Sequence, residues 1–421
     1  MRLLKTNLSF LSLLRYLPLL MCMPLLLLLM QLPFITNAQQ EVASINAKVI
    51  TADSIKVGAQ RTELYFPLLR GKNVAVVVNH TALIGKTNLV DSLVNAGITV
   101  KKIFCPEHGF RGTADAGESI KNTIDVKTGL PVISLYGKYY KPKASDLKGI
   151  DIVIYDIQDV GVRFYTYIST MTYVMEACAE NNIEFLVLDR PNPNGYYVDG
   201  AVLEKENSSF VGLHPVPIVY GMTVAEYASM VNGEGWLKNG VKCKLKYIPV
   251  NNYNHTYYYV LPVPPSPNLP NMNSVYLYPS LGLFEGTVIS VGRGTNFPFQ
   301  VIGHPDLKND NFSFTPESKP GSTNPLFLGV KCNGYNLNNF ANFYIKNLRQ
   351  IYLFWLTTTY KDVPDKANFF NSYFDRLAGT GKLRQQIISG TSEDDIRKSW
   401  QNDIDKFKKI RKKYLLYPDF E

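Results

Sequence analysis

Between residues 74 and 250, short runs of unbroken apolar and β-branched residues alternate with stretches of helical periodicity, and this alternation limits the fold more than any other feature of the chain. Val74 to Asn79, Ile98 to Phe104, Val132 to Tyr136, Ile152 to Ile157, Ile183 to Leu188, Val216 to Tyr220 and Lys244 to Val250 read as strands. A strand that is apolar on both faces needs cover on both, and parallel sheets obtain that cover from crossover helices. Helices are expected from Asn88 to Ala96, Thr166 to Asn181 and Thr223 to Val231. The last opens with a capping box formed by Thr223 and Glu226. The expected class is therefore α/β, with a Rossmann-like, doubly wound and mostly parallel sheet. Such sheets take ligands outside the carboxyl ends of their strands. The polar segments follow those ends: Glu107 after Phe104, Asp159 after Ile157, Asp189 after Leu188.

The proline-dense segment from Pro262 to Pro270 can be neither helix nor central strand, and reads as a domain junction or a rigid loop facing a cleft. Beyond it the texture changes. Residues 278 to 305 are rich in turn residues, 325 to 335 read as a strand and turn, and Asn339 to Tyr360 reads as a helix with an aromatic face. Ser392 to Tyr414 reads as a long helix with acids at its start and lysines at its end, matching the helix dipole. The expected layout is a signal peptide at 1–38, a loose polar arm at 39–60, the Rossmann-like domain at 61–270 and a smaller α+β domain at 271–421. A hydrophobic content of 46% supplies cores for two domains.

Arg2, Lys5 and Arg15 precede a nearly continuous apolar run from Leu17 to Met30, and Thr36-Asn37-Ala38 closes it with small residues. That order reads as a secretory signal cut after Ala38. The apolar run is shorter than the roughly 20 residues of a spanning helix, and Pro18 and Pro24 interrupt it. No stable membrane insertion is expected after cleavage, and the mature chain is expected in the periplasm or outside the cell. Cleavage lowers the formal charge from +9 to +6. The charges are interspersed, without the clustered basic face and aromatic platforms of a nucleic-acid site. Cys105, Cys178, Cys243 and Cys332 show no zinc spacing and read as buried free thiols. His80, His214, His255 and His304 are isolated, so no metal site is expected. No dinucleotide fingerprint, Walker motif or nucleophile elbow is present, so neither a nucleotide nor an acyl-enzyme serine is expected.

Four constellations could carry chemistry. Pro106-Glu107-His108-Gly109-Phe110-Arg111-Gly112 places an acid, an imidazole and a guanidinium directly after a strand. Glu107 could exchange a proton at a glycosidic oxygen and His108 could orient it. The segment from Asp156 to Thr166 offers Asp156 or Asp159 as a second carboxylate and Arg163 as an anion binder, with Tyr165 beside it. Asp189 to Gly195 is a stiff loop in which Asn192 and Asn194 could present amides to sugar hydroxyls. Glu285 and the Gly-flanked Arg293 form the fourth, with Arg293 suited to a carboxylate and Glu285 a reserve acid. Each of these could equally be a salt-bridged or capping element of the framework.

PEHGFRG, YDIQDVGVRFYTYI, LDRPNPNG, PPSPNLP, LFEGT and GRGTNFPF occur in that order, and together they resemble the exo-β-N-acetylmuramidase (NamZ-type) glycosidases from about residue 65 to the C-terminus. The resemblance implies an active-site cleft between a Rossmann-like domain and a smaller C-terminal domain. It implies release of N-acetylmuramic acid from the non-reducing ends of peptidoglycan fragments, without a cofactor, and a catalytic acid at Glu107. Relatives often carry an acid just before GRGT; Val291 stands there in this chain, so any role of that acid falls to Glu285 or to Asp156 and Asp159. The sugar's lactyl carboxylate calls for cations, and Arg111, Arg163 and Arg293 lie in the motif loops. The rival expectation is an exported protein that binds muropeptides without cleaving them. Retention or inversion, tolerance of the stem peptide and oligomeric state stay open at this level.

Overall fold

The computed structural model describes residues 49–50, 55–110 and 122–421. The expected signal peptide, the arm up to residue 54 and Arg111 lie outside these residues, apart from the backbone of Val49–Ile50, which pairs in parallel with Tyr258–Tyr259.

A mixed α/β fold is built on a seven-stranded sheet. Its strands are β1 (Val74–Val78), β2 (Val100–Cys105), β3 (Thr123–Ile124), β4 (Pro131–Ser134), β5 (Ile152–Asp156), β6 (Glu184–Leu188) and β7 (Lys244–Ile248). Their order is β7-β6-β5-β1-β2-β4-β3. Every pairing is parallel except that of the short edge strand β3 with β4. Val76 of β1 sits opposite Ile103 on one side and Ile154 on the other, and β1 and β5 are buried along their whole length. The edge strand β7 instead shows Lys244 and Lys246 to solvent, which discourages pairing with another chain. The chain winds outward from β1 through β2 and β4, then returns to the far side of β1 for β5, β6 and β7. The carboxyl ends of β1 and β5 thus flank the point where winding reverses, the place where such sheets leave a crevice.

The α-helices of five residues or more among the described residues are α1 (Thr62–Leu69), α2 (Leu89–Asn95), α3 (Tyr167–Glu180), α4 (Val224–Gly233), α5 (Met272–Leu281), α6 (Phe354–Asp362), α7 (Phe374–Ala378), α8 (Lys382–Ile388) and α9 (Glu393–Arg411). The capping box of α4 is present, and Asn88 caps α2 by accepting the Val90 N–H at 2.9 Å. The first turn of α9 carries Glu393, Asp394 and Asp395, and its last turn Lys408, Lys409 and Arg411, so both ends complement the helix dipole. Beyond the parallel sheet lies a three-stranded antiparallel sheet, β8 (Val301–His304), β9 (Ser313–Phe314) and β10 (Cys332–Asn336), in the order β8-β10-β9. All four described cysteines are buried free thiols.

Three expectations fail here for physical reasons. Residues 55–60 are no loose arm: Ile55, Val57 and Ala59 are buried, and the Gly58 N–H bonds to the Asp189 carbonyl at 2.8 Å. A Cβ on Gly58 would lie 2.5 Å from Ile248 O, so only glycine fits. Val216–Tyr220 is buried but joins no ladder; Val219 makes isolated bridges to Val162 and Asp199, and the carbonyls of Val216 and Ile218 are taken by Arg163. The helix expected from Asn339 to Tyr360 is broken at Arg349, whose φ of 47° is left-handed. Its continuation is held off the helical path because the Ile351 N–H bonds to Asp199 Oδ2 at 2.7 Å and the Tyr352 N–H to Ser280 Oγ at 2.9 Å.

Candidate active site

Loops following β2, β4 and β5 converge on a cavity of about 420 Å³. That volume falls in the ~300–1,000 Å³ range of small-molecule sites and suits one substituted sugar ring. Phe164, Tyr165, Tyr167, Leu269, Tyr278 and Phe299 form a buried aromatic and apolar floor. The proline-dense segment faces this cavity with Ser266, Asn268 and Leu269. It is pinned there by His80 Nε2 to Pro264 O at 2.8 Å and by the Tyr165 hydroxyl, which donates to Pro265 O at 2.9 Å. Tyr165 therefore offers a ligand its ring while its hydroxyl holds the loop.

Glu107 lines the cavity and is half-buried. The Thr166 hydroxyl, just before α3, donates to its Oε2 at 2.9 Å, and Tyr136, just after β4, hydrogen-bonds it from another side. Burial pushes the Tyr136 phenol up, and the neighbouring Glu107 charge pushes it further. Behind Glu107 the chain turns through two consecutive positive φ angles, 68° at His108 and 77° at Gly109, and the Gly109 N–H closes the turn on Pro106 O at 3.0 Å. A left-handed histidine is unusual and costs backbone energy, which is the kind of strain that gathers at functional sites. It brings the His108 ring, itself buried, to the cavity wall.

Arg293 and Glu285 lie on the cavity wall as a pair. Nε and Nη2 of Arg293 donate to Glu285 Oε1 at 3.2 and 2.7 Å, and the guanidinium lies over the Phe299 ring at 5.0 Å. Burial works against the Arg293 charge, but Glu285, with smaller help from Tyr278 and Glu107, outweighs it and holds the pKa above the usual value. Its Nη1 is buried and has no hydrogen-bond partner among the described residues. Gly292 and Gly294 adopt φ of 74° and 78°, and a Cβ on either would approach Val301 or Glu317 to 2.4 or 2.5 Å. The two flanking glycines let the backbone at Arg293 pass close to its neighbours.

The remaining expected site residues within the described chain, Asp156, Asp159, Arg163, Asn192 and Asn194, are spent on the framework, and none of them lines the cavity. Asp156 ends β5 and binds Arg190 at 2.5 and 2.9 Å, both side chains being buried. Asp159 Oδ2 accepts from the Gly161 N–H at 2.6 Å and from the Tyr220 hydroxyl. Arg163, expected to grip an anion, is fully buried and donates to the carbonyls of Ala201 and Val216 at 2.7 Å and of Leu377 at 3.0 Å. Asn192 donates to Met222 O at 2.9 Å and accepts from the Asn194 N–H at 2.8 Å. Asn194 donates to Val160 O at 2.9 Å and Val275 O at 3.2 Å. Strand-end polar residues serve a ligand or the fold, and their partners in space, not the local sequence, separate the two roles.

Other cavity residues were not singled out from the sequence. Thr166 lies inside a quoted motif, and its place beside a helix start was the available signal. Tyr136, Phe210, Tyr373 and Arg376 come from segments with no strand-end acid or glycine cluster to mark them. Arg376, on α7, is exposed and forms no ion pair among the described residues, leaving a second cation at the cavity.

Burial pushes the Asp159 carboxyl up to about 7, against the pull of the Tyr220 hydroxyl and the Gly161 and Val160 amides. A folded pKa above the unfolded value means that the folded state binds the extra proton between about pH 4 and 7. The stabilising contribution is full below the unfolded pKa and is lost as pH rises to about 7, by up to about 1.4 kcal/mol per pH unit. Asp159→Asn keeps an acceptor for both partners but cannot titrate. The wild-type melting temperature minus that of Asp159→Asn is expected to fall from pH 4 to 7 and to level off above. A difference independent of pH would show that Asp159 is ionised throughout.

Two family models meet within this chain. Residues 74–273 match the N-terminal part of the exo-β-N-acetylmuramidase NamZ, and residues 276–417 match its C-terminal part. The chain belongs to the NamZ exo-β-N-acetylmuramidase family. It is 40% identical over 379 residues to the peptidoglycan β-N-acetylmuramidase NamZ of Bacillus subtilis (strain 168), covering 84% of this chain and 89% of that protein. Among solved structures, a DUF1343 family protein of Bacteroides fragilis NCTC 9343 superposes with a TM-score of 0.81 at 48% identity, over 87% of this chain and 99% of that one. A second DUF1343 protein of the same organism gives 0.72 at 30% identity, over 86% and 99%. The cavity takes residues from both matched segments, Glu107 and Tyr136 from the first and Glu285, Arg293 and Arg376 from the second.

Proposed function

We propose that the protein is an exo-acting glycoside hydrolase that cuts the β-1,4 bond after a non-reducing-end N-acetylmuramic acid in peptidoglycan fragments such as the MurNAc-GlcNAc disaccharide and muropeptides. The observation that carries this reading is the pairing, in one sugar-sized cavity, of Glu107 with Arg293, whose Nη1 has no hydrogen-bond partner among the described residues. Glu107 gives its proton to the glycosidic oxygen as the bond to the anomeric carbon breaks, and water adds its hydroxyl to that carbon, its other proton replacing the one that Glu107 gave. Thr166 and Tyr136 hold the carboxyl in place. Arg293, oriented by Glu285, receives the lactyl carboxylate. The parallel sheet acts as a Rossmann-like layer presenting the acid, and the smaller C-terminal part, from residue 271, closes the cleft with its arginines. The order of basic residues, apolar run and small residues at 1–38 supports export, with Gln39 as the mature N-terminus. Incubating the purified protein with MurNAc-GlcNAc tests the proposal: free N-acetylmuramic acid and N-acetylglucosamine are expected, whereas intact disaccharide bound with measurable affinity would leave a binding protein.

Arg293→Met tests the lactyl contact. A charge-assisted hydrogen bond in a partly closed site is worth about 1.5–3 kcal/mol, so kcat/KM for the disaccharide should fall roughly 10- to 150-fold. The fall should be much smaller when the lactyl carboxylate is converted to its amide. An equal loss on both substrates would move the lactyl group away from this arginine.

A further inference from the structure

The cavity has an inside and an outside, and Glu107 stands between them. Inner rings such as Tyr165, Tyr167 and Phe299 are 7%, 1% and 1% exposed, while Tyr140 at the outer rim is 37% exposed and Phe210 is half-buried. Glu107 is bonded on the inner side to Thr166, which adjoins Tyr165 and Tyr167 in the chain, and on the outer side to Tyr136. The Tyr136 ring belongs to the outer group, 5.8 Å from Tyr140 and 5.8 Å from Phe210 between centroids.

We propose that Tyr140, backed by Phe210, is the platform on which the departing saccharide stacks, making this exposed ring a leaving-group subsite. The inference rests on the muramidase reading and extends it. A proton donor to a glycosidic oxygen must sit at the junction of the two sugars. With one sugar seated among the inner rings, the other lies over the rim. One ring, Tyr140, is presented there and a second supports it. Their centroids are 4.2 Å apart with planes 35° from parallel, and Tyr173 of α3 stacks behind Phe210 at 6.2 Å and 5°. Phe210 sits at the tip of a tight turn in which Ser209 and Gly212 exchange main-chain hydrogen bonds of 2.9 Å. Lys141, next to Tyr140, is tied to Glu180 and Glu176 of α3 at 2.7 and 3.2 Å. Neighbouring structure thus fixes both rings while leaving them partly wet. The negative face of an aromatic ring attracts the weakly positive C–H groups on the face of a pyranose, and this contact needs no particular hydroxyl pattern.

The test compares two substrates that share the inner sugar. One is MurNAc-GlcNAc. The other is the β-glycosyl fluoride of N-acetylmuramic acid, whose leaving group has no ring. Phe210→Ala and Tyr140→Ala are each expected to lower kcat/KM on the disaccharide roughly tenfold more than on the fluoride, with the loss in KM. Phe210→Trp, which keeps a ring, should restore the disaccharide, and inhibition by free N-acetylmuramic acid should stay near the wild-type value. Melting temperatures identify any variant that fails to fold, and the other position then carries the comparison. Equal losses on both substrates, or no loss on the disaccharide, would overturn the platform. A wild-type protein inert toward both substrates would instead remove the muramidase reading beneath it.

Discussion

Glu107→Gln is expected to lower kcat on MurNAc-GlcNAc by at least about 10²–10⁴-fold, the usual contribution of a positioned general acid, with KM little changed. The glutamine amide oxygen can still accept from Thr166, and Tyr136 can still bond to the side chain, so the loop after β2 keeps its place. What disappears is the proton for the leaving oxygen. The loss should therefore depend on the leaving group. It should be largest for a sugar, whose oxygen needs the proton as the bond breaks, and far smaller for an acidic phenol or fluoride, which leaves without one. A uniform loss across leaving groups would point instead to distorted binding. Wild-type turnover on the disaccharide would remove Glu107 from the mechanism.

Arg163→Met is expected to lower folding stability by at least about 2 kcal/mol. Two buried carbonyls, those of Ala201 and Leu377, lose their donor, that of Val216 keeps only the Leu203 N–H at 3.1 Å, and each unsatisfied buried acceptor costs about 1–3 kcal/mol. The site is built around this side chain. A Cβ on Gly379 would lie 2.3 Å from its Nη2, and Gly212 packs along its aliphatic stem. Arg163→Lys should not rescue, because an ammonium lacks the planar fork that reaches separate carbonyls. Leu377 belongs to α7, which also carries Arg376, so the buried guanidinium helps to seat a cavity wall contributed from far along the chain. The midpoint of urea unfolding at unchanged slope measures the effect. A shift worth less than about 1 kcal/mol would show that the carbonyls find other donors.

The parallel sheet was legible because its strands are apolar on both faces and end in glycines and acids; β1, β5 and β6 fall within a residue or so of the expected runs. The cap of α4 and the acids that open α9 were equally plain, since a capping side chain acts on amides two or three residues away. Val216–Tyr220 misled because an apolar run shows burial but not whether its main chain bonds to a strand or to an arginine. The same limit governs the site. Glu107, His108, Tyr165, Glu285 and Arg293 reach the cavity from the expected loops, whereas Asp156, Asp159, Arg163, Asn192 and Asn194, from loops of the same texture, are used up inside the fold. Tyr136 and Arg376 were invisible because their value lies in through-space partners that no local pattern encodes.

The central claim is that Glu107 and Arg293 address opposite ends of one bound muramyl residue. A crystal structure of Glu107→Gln soaked with MurNAc-GlcNAc tests it directly. The account predicts the muramyl ring inside the cavity, the side chain at position 107 within about 2.6–3.2 Å of the glycosidic oxygen, and the lactyl carboxylate on Arg293. A disaccharide seated elsewhere, or one whose glycosidic oxygen faces away from position 107, would contradict it.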